Sequence, residues 1–263
     1  MNNVKTLNSL ALAVALSLST SAALAENNEV QDMSDPLAVY TQAGFGATDK
    51  GLNLKFGQTY DTGNDDTMAM NVFEVKGIAG DIFGWAGSSE RDDSIDSVRF
   101  RNFNVDHTNG RGSQVDMNYD VERESLDISY SFIQALPQWG GLNVYPLAGV
   151  GVNLTNGEMD TGNGVEKIGY TIPGTFGVVG AYTKYSITDN LWINYNPMWL
   201  TTISGADAYV NNAYGAGNSS VFANELAVSY QINPRTNVRY FANWTQYQSF
   251  SDGDQRIEIN YQF

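Results

Sequence analysis

Gln255-Arg256-Ile257-Glu258-Ile259-Asn260-Tyr261-Gln262-Phe263 ends the chain. Ile257, Ile259, Tyr261 and Phe263 share one parity, and Arg256, Glu258, Asn260 and Gln262 share the other. A period of two over this length specifies a β-strand with one apolar and one polar face. A strand that finishes on an exposed Phe is poorly suited to water. Aromatic rings favour the boundary between lipid headgroups and tails, so the apolar face reads as meeting lipid.

The same alternation recurs upstream. Leu52, Leu54, Phe56 and Tyr60 oppose Asn53, Lys55, Gly57 and Thr59, and Val144, Pro146, Ala148, Val150 and Val152 form one face of the stretch Leu142 to Leu154. Further strands are expected at Leu37 to Ala47, Thr67 to Ala79, Ile82 to Gly87, Val98 to Val105, and Gly169 to Ile187 with Tyr170, Ile172, Phe176, Val178 and Tyr182 outward. Leu191 to Ile203, with Ile193, Tyr195 and Trp199 outward, Phe222 to Ile232 and Val238 to Phe250 follow. Val98 to Val105 changes parity midway, which predicts a bulge. Gln114 to Leu136 reads either as one long bulged strand or as two. The fold class is all-β: an antiparallel transmembrane β-barrel of about twelve strands, with ten or eight as alternatives. Twelve arises either with Leu37 to Ala47 as the first strand or by skipping it and splitting Gln114 to Leu136. The tight Thr48 to Gly51 connection looks periplasmic and the Asp61 to Asp66 connection external.

Composition agrees with that class. The chain of 263 residues carries 26 Gly, 15 Tyr, 12 Phe and 5 Trp, with apolar residues dispersed at alternate positions rather than in runs. A basic Lys5, an apolar run from Leu10 to Leu18 and small residues at Ala23 and Ala25 make residues 1–25 a secretory signal peptide, cleaved after Ala25. That run is too short to span a bilayer as a helix. Residues 26–36 read as a flexible, acidic periplasmic leader, and 37–263 as the barrel. Zero cysteines exclude a disulfide framework, a thiol nucleophile and a cysteine-borne lipid anchor. A net charge of −15 argues against nucleic acid, which needs a basic surface.

Three stretches carry a resemblance. Leu142 to Asn153 is similar to the Gly-rich strand of bacterial small outer-membrane β-barrels (opacity-protein-like and porin-like families), and Gly177 to Tyr195 to their next hairpin. Glu225 to Ile232 and the terminal strand complete the likeness, which covers roughly the C-terminal half. The resemblance implies a Gram-negative outer-membrane protein reached through the periplasm. It implies contact with outer-membrane lipid and lipopolysaccharide, and recognition of Ile257, Ile259, Tyr261 and Phe263 by the barrel-insertion machinery. Those motifs report architecture, and architecture does not transmit function.

The polar parity of the last strands is expected to line the interior. Pairing Ile232 near Arg239 and Phe250 near Gln255 assembles Glu225, Tyr247, Glu258 and Arg256 toward the external end, with Lys55, Asp127 and Arg239 as weaker members of the inward set. Such a cluster either tunes ion selectivity or braces the wall as an ion-paired network. Inward Phe241 and Tyr247 suggest a partly filled lumen and favour bracing. His107, the single histidine, adjoins Asp106 and precedes Ser113, the ingredients of a hydrolase. Adjacent strand residues point to opposite faces, however, and the stretch reads as loop, so no enzyme is expected. Asp61 to Asp66 and Glu158 to Asn163 offer oxygen ligands but lack EF-hand spacing, and both read as solvated loops. No cofactor or metal is expected. Gly149 and Gly151 lack the strand-to-helix setting of a nucleotide loop and read as close-packing positions. Tyr130, Trp139, Tyr145, Tyr170, Tyr182, Trp192, Trp199, Tyr230, Trp244, Tyr261 and Phe263 read as interfacial girdles. Two functions are expected from this: a porin-like passive channel for small solutes or ions, favoured because lumen width grows with strand number, or a closed structural barrel acting through its external loops. The oligomeric state is open.

Overall fold

The computed structural model describes residues 30–48, 50–80, 95–160, 163–167 and 169–263. Ala23, Ala25 and the whole strand expected at Ile82 to Gly87 therefore lie outside the described residues.

Twelve antiparallel strands close into a barrel. They are β1 (Gln42–Thr48), β2 (Gly51–Tyr60), β3 (Thr67–Ile78), β4 (Ser97–Asp106), β5 (Arg111–Asp120) and β6 (Ser125–Gln134). The second half is β7 (Leu142–Thr155), β8 (Thr171–Ser186), β9 (Leu191–Gly205), β10 (Ser220–Asn233), β11 (Thr236–Thr245) and β12 (Asp254–Gln262). A small hairpin, Glu158–Asp160 with Val165–Lys167, extends the β7–β8 connection. A short helix α1 (Asp207–Asn212) lies in the β9–β10 connection. Closure is made by β1 against β12, from Gln42 opposite Gln262 to Thr48 opposite Arg256. The barrel thus has no unpaired edge.

The count is reached by a route that combines features of both sequence readings. The first strand is retained but starts at Gln42, Gln114 to Leu136 divides into β5 and β6, and β3 pairs directly with β4. Because Gln42 and Gln262 face each other, β1 starts at the rim that also holds Phe263, here called the near rim. Residues 61–66 then turn at the near rim, and the tight 48–51 turn lies at the far rim. This reverses the sidedness expected for those two connections.

Inward and outward faces alternate throughout. Val150 is 61% exposed and Ile257 59%, whereas Glu258 is 2% exposed and Arg256 6%. On β8 the expected parity fails. Register shifts between Thr171 and Gly174 and between Thr175 and Phe176 turn Phe176, Val178 and Tyr182 inward, and Val179 and Tyr185 face out instead. Conversely, β4 contains no bulge: its register with β3 and β5 is unbroken. The parity change seen in the sequence is a change in what lies inside. Arg99 and Arg101 face a polar lumen, and Phe103 and Val105 face an apolar floor nearer the near rim. Gly151 allows Phe176 to cross the wall's inner face, since a Cβ there would sit 2.4 Å from the ring.

That floor is built by the segment before β1. Residues 30–36 are not a loose leader. Val39 packs with Met70, Val72, Phe103 and Val105, and Leu37 touches both this group and a second one of Ile133, Tyr145, Leu147 and Val178. The Gln262 side chain bonds Gln31 twice, accepting from its amide at 3.1 Å and donating to its carbonyl at 2.9 Å. Among the expected girdle residues, Tyr145, Tyr182 and Trp192 are therefore lumen residues. Tyr130, Trp199, Tyr230, Tyr261 and Phe263 remain on the outside, the last two in edge-to-face contact at 5.2 Å.

If the outer face meets lipid, Val150→Arg should destabilise the folded barrel by about 2–4 kcal/mol, the cost of a cation near the bilayer midplane. Urea unfolding in phospholipid vesicles measures this, and an unchanged midpoint would contradict a lipid-covered wall.

Candidate functional site

Among the spaces of the interior, two share lining residues at mid-height. A vestibule of about 470 Å³ opens from the far rim, lined by Lys50, Gln114, Asp116, Ser129, Asn243 and Asp254 among others. Arg99, Arg101, Tyr182, Asn196 and Glu225 also line a deeper chamber of about 160 Å³ whose floor is Met33 to Tyr40.

Alternation along seven strands delivers charge to this waist. Lys55 (β2) and Arg256 (β12) flank Glu258 (β12): Lys55 is ion-paired and hydrogen-bonded to it, and Arg256 Nε stands 3.6 Å from its Oε2. Asn53 Nδ2 donates to the same carboxylate at 3.0 Å. On the neighbouring wall, Arg101 (β4) pairs with Glu74 (β3), and Lys76 Nζ lies 4.0 Å from Glu74. Arg99 grips Asp116 (β5) through Nε at 2.8 Å and Nη2 at 2.5 Å, the two-pronged geometry that suits a carboxylate.

Arg239 (β11) is held differently. Its Nε donates to Ser229 Oγ at 2.9 Å and its Nη2 to Asn194 Oδ1 at 2.9 Å. Its guanidinium lies 4.7 Å from the centre of the Phe241 ring, over which Arg256 also sits at 4.1 Å. One aromatic face system thus supports two cations, which offsets part of their mutual repulsion. Glu225 (β10) accepts from Asn196 Nδ2 at 2.8 Å.

Lys55, Glu225, Arg239, Arg256 and Glu258 are thus inside, at one level of the barrel. Asp127 is also inward but lies toward the far rim, accepting from Asn153 Nδ2 at 2.8 Å. Tyr247 is not a member. Strand β11 ends at Thr245, and Tyr247 sits in the far-rim connection, 51% exposed, donating to the Ser220 carbonyl at 3.0 Å. The error is one of register. Arg239 pairs with Ser229 rather than near Ile232, and Gln255 with Ala242 rather than near Phe250. The β11–β12 connection is longer than composition indicated, because Phe250 folds back on Trp244 at 5.1 Å and Ser249 hydrogen-bonds Asp252. Glu258 consequently faces Arg239.

Sequence reasoning missed Glu74, Lys76, Arg99, Arg101 and Asp116. A signal was present: Glu74 and Lys76, like Arg99 and Arg101, are two apart, the spacing that puts both on one face of a strand. Outside the lumen, His107 is an exposed turn residue whose amide donates to the Asp66 carbonyl at 3.2 Å. The Asp106 carboxylate is occupied by Thr108 and Asn109, and Ser113 lies up the wall opposite Asn104. No hydrolytic set is assembled there. In the 61–66 turn, Asp61 and Asn64 accept from the amides of Gly63 and Asp66, as a self-satisfied loop does. Residues 161 and 162 of the second candidate loop lie outside the described residues.

At the floor, Asp32 Oδ2 lies 3.2 Å from Lys184 Nζ. Burial pushes the Asp32 carboxyl up, but hydrogen bonds from Ser34 and the Lys184 ammonium outweigh this and hold it below its usual value. The contact is therefore complete above the ordinary aspartate range and weakens only as pH falls through that lowered value.

No protein-family model and no curated protein matches the sequence. Solved structures do. The chain is similar to the NanC porin at 8% identity and a TM-score of 0.51, covering 86% of this chain and 100% of that one. Similarity to the KdgM porin in complex with disordered oligogalacturonate has 9% identity and a TM-score of 0.48, over 86% and 99%. For the translocator domain of the autotransporter NalP from Neisseria meningitidis the values are 10% and 0.45, over 97% and 98%. At these identities the NanC likeness establishes the barrel fold.

Removing Lys55 leaves Glu258 buried with Arg256 as its remaining cation. Lys55→Met should cost about 3 kcal/mol, the lower end for breaking a buried pair, and adding Glu258→Gln should recover most of it. Urea denaturation of the single and double variants checks both expectations.

Proposed function

We propose that this protein is a porin-like passive channel of the Gram-negative outer membrane, carrying small solutes or ions with weak charge selectivity. The observation that carries the reading is the charged waist beneath an open vestibule. Lys55, Lys76, Arg99, Arg101, Arg239 and Arg256 converge there with Glu74, Asp116, Glu225 and Glu258. A chain of net charge −15 has gathered a near-balanced set of cations and carboxylates inside its lumen. Charges facing a lumen set ion preference, and a balanced set implies a weak one.

The apolar, aromatic-rimmed exterior supports placement in lipid, with lipopolysaccharide as the outer-leaflet neighbour. Residues 1–25 serve as the export signal, and the exposed Ile257, Ile259, Tyr261 and Phe263 as the mark read by the insertion machinery. The likeness to opacity-protein-like barrels rests on the strand chemistry of the C-terminal half, and twelve strands favour the porin-like group. The hydrolase alternative at His107 finds no support in its surroundings, an exposed turn with Ser113 up the wall opposite Asn104.

The occupied near end favours a second reading, a closed barrel acting through its outer loops. Planar-bilayer recording separates them, because the channel predicts discrete openings, however infrequent. Arg239→Gln should shift the reversal potential in a salt gradient toward cation preference, and Glu225→Gln toward anion preference. Reversal potentials unmoved by either change would remove the waist as the selectivity element.

A further inference from the structure

Resting on that channel reading, we propose that residues 30–40 are a resident plug that seals the near end of the lumen and must withdraw before solute can pass.

The first support is reach. The segment contacts strands around almost the whole circumference: Gln31 is held by Gln262 of β12, and the Met33 sulfur accepts from Gln231 of β10 at 3.3 Å. Asp32 meets Lys184 of β8, and Asp35 Oδ1 accepts from Tyr145 of β7 at 3.0 Å. Val39 completes the circle on β3 and β4. A segment running along one wall would not touch these strands together.

The second support is the inner face itself. Inward side chains are charged at the waist but apolar just below it, at Met70, Val72, Phe103 and Val105. Apolar side chains on the inside of an open, water-filled barrel would stay wet at a free-energy cost. Here they are covered by Leu37 and Val39, so the wall is built to receive the segment.

The third support is the manner of attachment. The hydrogen bonds from residues 31–40 to the wall run through side chains, and the described ladder pairing begins only at Gln42. Its few internal backbone bonds, Asp35 to Asp32 and Ala38 to Asp35, belong to tight turns. A segment bound in this way can leave without opening the β1–β12 seam.

The test uses the full-length chain, whose lack of cysteines permits site-specific bridging. Gln31→Cys with Gln262→Cys is joined by a short bis-maleimide that contains a reducible disulfide, and recorded in planar bilayers before and after reduction. We expect the bridge to form in the folded barrel, seen by mass, to suppress openings, and to release them on reduction. Deleting residues 31–36 should raise conductance several-fold. Failure of the folded barrel to accept the bridge, or equal non-zero conductance in bridged and reduced protein, overturns the plug. A folded deletion variant, verified by heat-modifiable migration, that stays silent while the bridge forms overturns the channel reading instead, and the gating role with it.

Discussion

The backbone ladder between β1 and β12 is the constraint on which the rest depends. A transmembrane sheet cannot leave strand edges in lipid, where unpaired amides and carbonyls have no water to bond. Pairing Gln42 with Gln262 removes the last edge and, in doing so, fixes much else. It sets the direction of every strand and assigns each connection to a rim. It also places the entry to β1 at the mouth of the lumen, within reach of the interior that residues 30–41 fill. Sidedness and floor follow from one seam.

Within that frame the interior is divided along its axis. Charges sit at the waist, many of them paired: Lys55 with Glu258 across the intervening β1, and Arg101 with Glu74 and Arg99 with Asp116 between adjacent strands. Such pairs are retained against a desolvation penalty that only good geometry and extra hydrogen bonds offset. Asn53, Ser229, Asn194 and Asn196 supply those bonds. Below the waist the inward side chains become apolar and pack on Leu37 and Val39. The two regions serve different ends. The waist gathers charge that faces the lumen, and the floor supplies a small hydrophobic core inside the barrel.

Much of this is visible in the residues once strand parity is read with the lumen in mind. The terminal strand, with its alternation and closing Phe263, reports an outward and an inward face, and Arg256, Glu258, Arg239, Glu225 and Lys55 lie on the inward one. Gly149 and Gly151 read as close-approach sites, and Gly151 lies beneath Phe176. Three things resisted reading. The register of the last hairpins depends on where a turn stops, and Phe250 stacking on Trp244 lengthens that turn. The face of Phe176 and Val178 depends on shifts in β8 that break a period of two. Phe103 and Val105 simulated a bulge because Val39 and Leu37, which cover them, come from a distant stretch that reads as the first strand but turns inward before β1 begins at Gln42.

By itself, then, the amino-acid sequence determined that the chain alternates between an apolar and a polar face, that its strands form an antiparallel barrel of about twelve with ten or eight as alternatives, and that Lys55, Asp127, Glu225, Arg239, Arg256 and Glu258 carry charge inward. Those properties are local, because a strand's faces are set by a two-residue repeat. Only the tertiary structure decided which inward charges meet, which rim each turn occupies, and that an acidic stretch without periodicity fills the barrel's near end. Those outcomes depend on register and closure, which bring residues such as Gln31 and Gln262 together from opposite ends of the chain. No local pattern encodes such a meeting.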